Sequence, residues 1–378
     1  MRTTSKIGIR AVLLSTVILF GSPSMLAEAG ATGVPGSWGE GAPMPTARTE
    51  VTSAVINGVI YVIGGFRATG GNTDLVEAYD TAGDSWSVKT PLPQSLDHAG
   101  AAAVGGKVYV LGGYASFSQG IISPATYEYD PGGDQWVTRA PMPLARAAAA
   151  TVAIEGIIYV LGGVGPQATV PLAYDPVADS WKQLAPMSTE REHLVASAVD
   201  GRIYVIGGRQ SVTQNVDALE AYDPEADSWQ PLAPMPTARG GLAAARLAGR
   251  VHVVGGEDLS PGGSTFPEHE VYDPIADSWQ PAPPLPTARH GLTAQVVSNK
   301  LYVLGGGPTP GLSVSDAVEI FQLASVGGLA ELPDVAGTPL GTGGSGPNAG
   351  VLAAVAAAAA VVVALAGAAW YSRGRWVR

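Results

Sequence analysis

Ile60-Tyr61-Val62-Ile63-Gly64-Gly65, followed by Tyr79-Asp80 and then by Trp86, is the stretch that decides the fold. An apolar run ending in a glycine pair recurs at Gly112-Gly113, Gly162-Gly163, Gly207-Gly208, Gly255-Gly256 and Gly305-Gly306, in steps of 48, 50, 45, 48 and 50 residues. A period of that size marks a propeller or a solenoid built from one repeated unit. Tyr79, Tyr129, Tyr174, Tyr222 and Tyr272, each followed by Asp, stand seven residues before Trp86, Trp136, Trp181, Trp229 and Trp279. Each of those tryptophans stands 26 residues before the next glycine pair. Length therefore varies only between glycine pair and tyrosine, at 15, 17, 12, 15 and 17 residues.

The double Gly, the Tyr-Asp and the spaced Trp resemble the kelch repeat over about 290 residues. The resemblance implies an all-β, six-bladed β-propeller with four antiparallel strands per blade around a central channel. The residues agree with it. The first strand of each unit, such as Ala99 to Val104 or Gly241 to Ala245, is built from small side chains, as six strands crowding an axis require. Gly58, Gly106, Gly156, Gly201 and Gly249, with Asn299 in the sixth copy, stand six residues before the glycine pair and suit a positive-φ hairpin turn. Asp175, Asp223 and Asp273, each before Pro, suit a capped turn between the third and fourth strands. The sixth copy offers Glu319-Ile320-Phe321 but no following Trp, whereas Trp38 lies 26 residues before the first glycine pair. The N-terminal strand is thus expected to complete the last blade and remove an open edge.

The chain has 378 residues, 50 of them Gly and 30 Pro, yet 46% is hydrophobic and 8 are Trp, enough for a large core. It has no Cys, which removes disulfides, thiolate catalysis and Cys-held metals. Between residues 37 and 323, 29 Asp or Glu stand against 15 Lys or Arg, a net of -14, so nucleic acid is a poor partner. Arg2, Lys6 and Arg10 precede an uncharged stretch and Ala27-Glu28-Ala29, the layout of a secretory signal peptide over residues 1–29. The propeller spans 37–323, and a Gly/Pro/Ser-rich stalk spans 324–348. Ala349 to Tyr371 carries no charge and is long enough to cross a bilayer as a C-terminal transmembrane helix, with Arg373, Arg375 and Arg378 in a basic cytoplasmic tail, 372–378. The expected placement is exported and membrane-anchored, with the propeller extracytoplasmic. The end also resembles a sorting signal cut by a transpeptidase, but Leu332-Pro333-Asp334-Val335-Ala336 departs from that motif in its last two places.

Sixteen residues before the glycine pairs stand Arg48, Arg146, Arg191, Arg239 and Arg289, with Leu96 in the second copy. Strand alternation puts them at the end of the ring that carries the variable loops, so they are candidates to line the mouth of the channel. The competing reading is that each Arg ties its own loop to carbonyls. Two residues further on the copies diverge to Glu50, His98, Ala148, His193, Gly241 and Gly291, making Glu50, His98 and His193 the more discriminating candidates. A metal held by these three is not expected, because they come from three different blades without tight spacing. His252 takes a Tyr slot and is read as packed, while Arg246 either enters the channel or pairs with a neighbouring acid. Asp80, Asp84, Asp130, Asp134, Asp179 and Asp227 fall at the opposite end. The variable loops add Phe66, Tyr114, Phe117 and Phe266 beside the mouth, either as loop packing or as a surface for a sugar or peptide.

No Gly-x-Ser-x-Gly, His-Glu-x-x-His, phosphate loop or sialidase box is present, and copper-radical oxidase chemistry of the known type needs a Cys. The expected function is a cell-surface recognition module that binds protein or glycan partners through one face, without a cofactor. The alternative is a sugar-modifying enzyme resembling the exported kelch epimerases that act on sialic acid, in which Glu50, Glu192 or a His moves a proton. A third reading makes the rim the contact surface.

Overall fold

The computed structural model describes residues 33–324. The expected signal peptide, transmembrane helix and basic tail lie outside the described residues, as does the stalk beyond Ala324. Among the described residues no helix is long and apolar enough to cross a membrane.

Six four-stranded antiparallel sheets carry the repeat. In blade 1 they run Thr52–Ile56, Val59–Ile63, Val76–Asp80 and Ser85–Val88 from the axis outward, here called strands A to D. Blades 2 to 5 repeat the order from A strands Gly100–Val104, Ala150–Ile154, Val195–Val199 and Ala243–Leu247. Blade 6 has Thr293–Val297, Lys300–Leu304 and Val318–Leu323 inside, and Gly36–Glu40 supplies its outermost strand. Trp38 lies opposite Phe321 in that pairing, as Trp86 lies opposite Tyr79 in blade 1. The ring is closed by the N-terminal strand, and each A strand packs on both neighbouring A strands, blade 6 returning to blade 1.

The repeat residues hold blade to blade. Tyr61, Tyr109, Tyr159, Tyr204 and Tyr302 on strand B pack against Tyr129, Tyr174, Tyr222, Tyr272 and Tyr79 of the next blade, with ring centroids 5.7 to 6.2 Å apart. His252 and Phe321 form the sixth such pair at 5.9 Å. Below each, one peptide of the preceding blade is clasped. Asp84 Oδ1 accepts from Tyr79 Oη and from the Ala42 amide, and Trp86 Nε1 donates to the Ala42 carbonyl. The same clasp closes on Thr90, Ala140, Ala185 and Ala233. In the closing blade Phe321 has no hydroxyl, Gly36 no carboxylate and Pro283 no amide hydrogen, so only the Trp38 Nε1 bond to the Pro283 carbonyl remains. The tryptophans are half-buried rather than enclosed, since strand D faces solvent on one side.

The glycine pair is explained by close approach. Gly64 and Gly65 have φ of +65° and +92°, and a Cβ on either would sit 2.4 to 2.5 Å from the carbonyl oxygens of Leu96 and Thr49. Only glycine meets both demands. The Asp residues at the opposite end are occupied too. Asp175 Oδ1, for example, caps the Val177 and Ala178 amides, so that face is acidic by sequence but built of turn caps and clasps.

Candidate functional site

The five arginines do not line the mouth. Arg48, Arg146, Arg191, Arg239 and Arg289 are all at most 2% exposed and turn back into their own blades. Arg48 donates to the Gly64 carbonyl at 2.8 Å and to Glu77 Oε2 at 2.7 Å. Arg191 does the same with Gly207 and Glu220, Arg239 with Gly255 and Glu270, and Arg289 with Gly305 and Glu319. Arg146 has Leu172 where the others have Glu, and it spreads instead over the carbonyls of Ala145, Pro166, Gln167 and Val170. The expectation of an arginine-lined mouth is therefore corrected: each guanidinium is buried and offsets its lost hydration with turn carbonyls, and in four of the five also with a buried carboxylate.

What those latches position is the next two residues. Glu50, His98, Ala148, His193, Gly241 and Gly291 all adopt left-handed φ, between 50° and 66°. Each amide from His98 onward donates to the carbonyl of the preceding member, and Val51 N to Gly291 O closes the circle. Six residues, one per blade, thus form a hydrogen-bonded collar around the channel. The four non-glycine members adopt a conformation that L-residues usually avoid.

The collar brings Glu50, His98 and His193 together although they lie 48 and 95 residues apart in sequence. One ligating atom of each falls within 4.8 Å of the others. Glu50 Oε2 is 3.3 Å from His98 Nε2, and the two imidazole rings meet edge to face at 4.8 Å. The sequence argument against a metal here, that the three residues lie in different blades without tight spacing, does not hold as geometry, because a closed ring brings blades together.

Apart from Glu192, sequence reasoning missed the shell around them. Asp97 Oδ1 accepts from His98 Nδ1 at 2.5 Å, and Glu192 Oε2 accepts from His193 Nδ1 at 2.5 Å. Arg209 bridges Glu192 at 2.5 Å and Glu257 at 3.0 Å, and its Nη2 reaches His193 Nε2 at 3.1 Å. His290 Nε2 lies 3.7 Å from Glu50 and 3.6 Å from Glu257. These residues occupy two columns of the repeat: the position after the latch arginine (Thr49, Asp97, Ala147, Glu192, Gly240, His290) and the position after the glycine pair (Phe66, Tyr114, Val164, Arg209, Glu257, Gly307). The two columns face each other in bridges such as Glu192 to Arg209 and Gly240 to Glu257, so reading the copies column by column is the signal that could have found them.

The cluster is nearly dry, and its charges set one another. Burial pushes the Glu50 carboxyl up, but His98, His193, His290 and Arg209 pull it below the usual carboxylate range. Burial opposes charge on His98, yet Glu50 and Asp97 raise it above the ordinary imidazole value. His193 is lowered by its burial, and Asp97 is raised by its own. Glu192, buried but bonded to His193 and Arg209, is held down to about 2. A carboxylate beside a raised imidazole is a pair able to exchange a proton.

Two spaces adjoin the collar. Inside it, Glu50, His98, His193 and the small residues Ala148, Gly241 and Gly291 border a cavity of about 100 Å³ that continues into the Ala-, Ser- and Gly-lined channel. Outside it, the loops of blades 1, 2 and 6 shape a cleft of about 320 Å³ between Phe66, Asn72, Phe117 and Leu312. Phe117 stacks on the His98 ring at 5.4 Å while remaining 45% exposed, and Tyr114 packs edge-on against both. Phe266 is half-buried outside this group. Arg246, left open by the sequence, lines the channel and reaches Asp200 of the neighbouring blade at 3.4 Å.

The family model of the Attractin/LZTR1 β-propeller matches residues 36–215. No curated protein matches the chain. A solved structure described as the structure of YjhT superposes with a TM-score of 0.65 at 18% identity, covering 73% of this chain and 95% of that one. At that identity the likeness concerns the fold. With six closed four-stranded blades, the chain folds as a six-bladed β-propeller, and its repeat resembles the kelch repeat.

Proposed function

We propose that the protein is a recognition module that binds a glycan or protein partner at the mouth end of its propeller, held outside the cytoplasm by the C-terminal segment. The observation that carries this reading is polarity. The variable loops, an exposed aromatic ring over a cleft and the convergent polar cluster all share one end, whereas the other end repeats the same caps and clasps in blade after blade. Binding residues concentrate on loops fixed by a rigid scaffold, and a half-exposed phenyl ring beside polar groups suits the apolar face of a sugar or a side chain. Glycan and peptide arrays probed with the full chain test it. Binding lost in Phe117→Ser with Leu312→Ser, and kept in Val177→Ser with Ile275→Ser on the opposite rim, is the expected result. Equal binding by both pairs of variants refutes it.

A sugar-modifying enzyme is the second reading, favoured by the Glu50–His98 contact as an acid–base pair. Its sugar-acid form loses support from the arginines, since the five latches are buried and Arg209 is engaged by Glu192 and Glu257. Turnover of a sugar that vanishes in Glu50→Gln would favour the enzyme over the module.

A further inference from the structure

We infer that Glu50, His98 and His193 form a binding site for one divalent transition-metal ion of the zinc class, set in the collar with an open coordination position toward the channel. This goes beyond the recognition reading and does not depend on it.

The geometry fits in three respects. Two imidazoles and one carboxylate are a ligand set that zinc accepts in sites that keep a position open, and Glu50 Oε2 and His98 Nε2 are already 3.3 Å apart, about the edge of a tetrahedron with ~2 Å bonds. Each imidazole is oriented from behind: His98 Nδ1 donates to Asp97 and His193 Nδ1 to Glu192, which leaves both Nε2 atoms as the inward ligands. A carboxylate on the far nitrogen is the usual support of a metal-ligating His. Beside the three ligands lies a cavity of about 100 Å³, kept clear by Ala148, Gly241 and Gly291, where a metal-bound water or a ligand oxygen has room.

Charge supplies an independent argument. Four carboxylates share the cluster with a single arginine: Arg209 pairs with Glu192 and Glu257, whereas Glu50 and Asp97 meet only the His98 ring from opposite sides and, for Glu50, His290. Asp97 is fully buried, and its Oδ2 has no hydrogen-bond partner. A buried carboxylate so poorly compensated is costly, and a dication on the other side of the His98 ring offsets it. Binding exchanges the Arg209 Nη2 contact with His193 Nε2 for a metal bond, while Arg209 keeps both glutamates.

The test uses the full chain, stripped with a chelator and then titrated with Zn²⁺. One ion per chain, a raised melting temperature and visible d–d bands when Co²⁺ replaces Zn²⁺ are expected. The isosteric Glu50→Gln and the ligand deletion His193→Ala should abolish stoichiometric uptake, and Asp97→Asn should weaken it about 10- to 100-fold, as loss of an outer-shell partner does. Circular dichroism of the metal-free variants separates lost ligation from lost folding. Absence of stoichiometric Zn²⁺ on the wild-type chain, or unchanged affinity in folded Glu50→Gln, overturns the inference.

Discussion

His252 and His269 make blade 5 a titratable weak point of the ring. His252 Nδ1 lies 2.8 Å from His269 Nε2, and His269 Nδ1 lies 3.2 Å from the Pro283 carbonyl, so the neutral pair satisfies itself when each Nδ1 carries the hydrogen. Both are nearly inaccessible, packed with Phe321, and His269 also meets Trp38 of the closing strand. Burial, then their mutual proximity and Arg250, lowers His252 to about 3; burial, with Arg239, lowers His269 to about 4 against the Pro283 contact. Unfolded imidazoles titrate near 6.5. Between those values the unfolded chain binds more protons than the folded one, so stability falls as pH falls. At pH 5 each histidine forfeits about 2 kcal/mol relative to neutral pH, and the pair about 4 kcal/mol, a large part of the stability of an ordinary domain. Urea unfolding at pH values from about 7.5 to 5 measures this. Replacing the pair by the residues of other blades, His252→Tyr with His269→Val, should remove most of the extra loss between those limits. An equal drop in the wild type and the variant refutes the reasoning.

Trp38→Ala keeps the strand but removes the Pro283 bond and the contacts with Phe321 and His269; because the ring is half-buried, the loss expected in thermal or urea unfolding is about 2 to 4 kcal/mol, around the lower end for a large aromatic. Arg289→Met strands Glu319 in the core and should cost about 3 to 5 kcal/mol, whereas Arg289→Met combined with Glu319→Leu should recover part of it, as paired unfolding curves will show. Gly291→Ala places a Cβ 2.5 Å from Glu50 Oε1 at a φ of +58°, and should displace that carboxylate and weaken any ligand held by Glu50 while leaving the blades' circular dichroism intact.

Fixed spacing made the blades, the hairpin turns and the closing role of Trp38 legible, because each rests on a local rule repeated several times. The arginines were harder. Their end of the ring follows from strand alternation, but their inward turn depends on a partner in another strand. That partner was visible in hindsight as Glu77, Glu220, Glu270 and Glu319, each two residues before the strand C aromatic, in four of the five copies that carry the Arg. The collar cluster was hidden for a different reason. Its members are separated by whole blades, and only closure of the circle brings Glu50, His98 and His193 within reach of one another.

The most direct measurement of the central claim, that the mouth end is the working face, is a hydrogen-exchange footprint of the full chain with the glycan or peptide its arrays select. Slowed exchange should appear in loops 66–73, 114–123 and 307–313 and at the collar amides of His98 and His193. Protection confined to the turns around Asp84, Asp134, Asp179 and Asp227, with the mouth unchanged, would contradict the account.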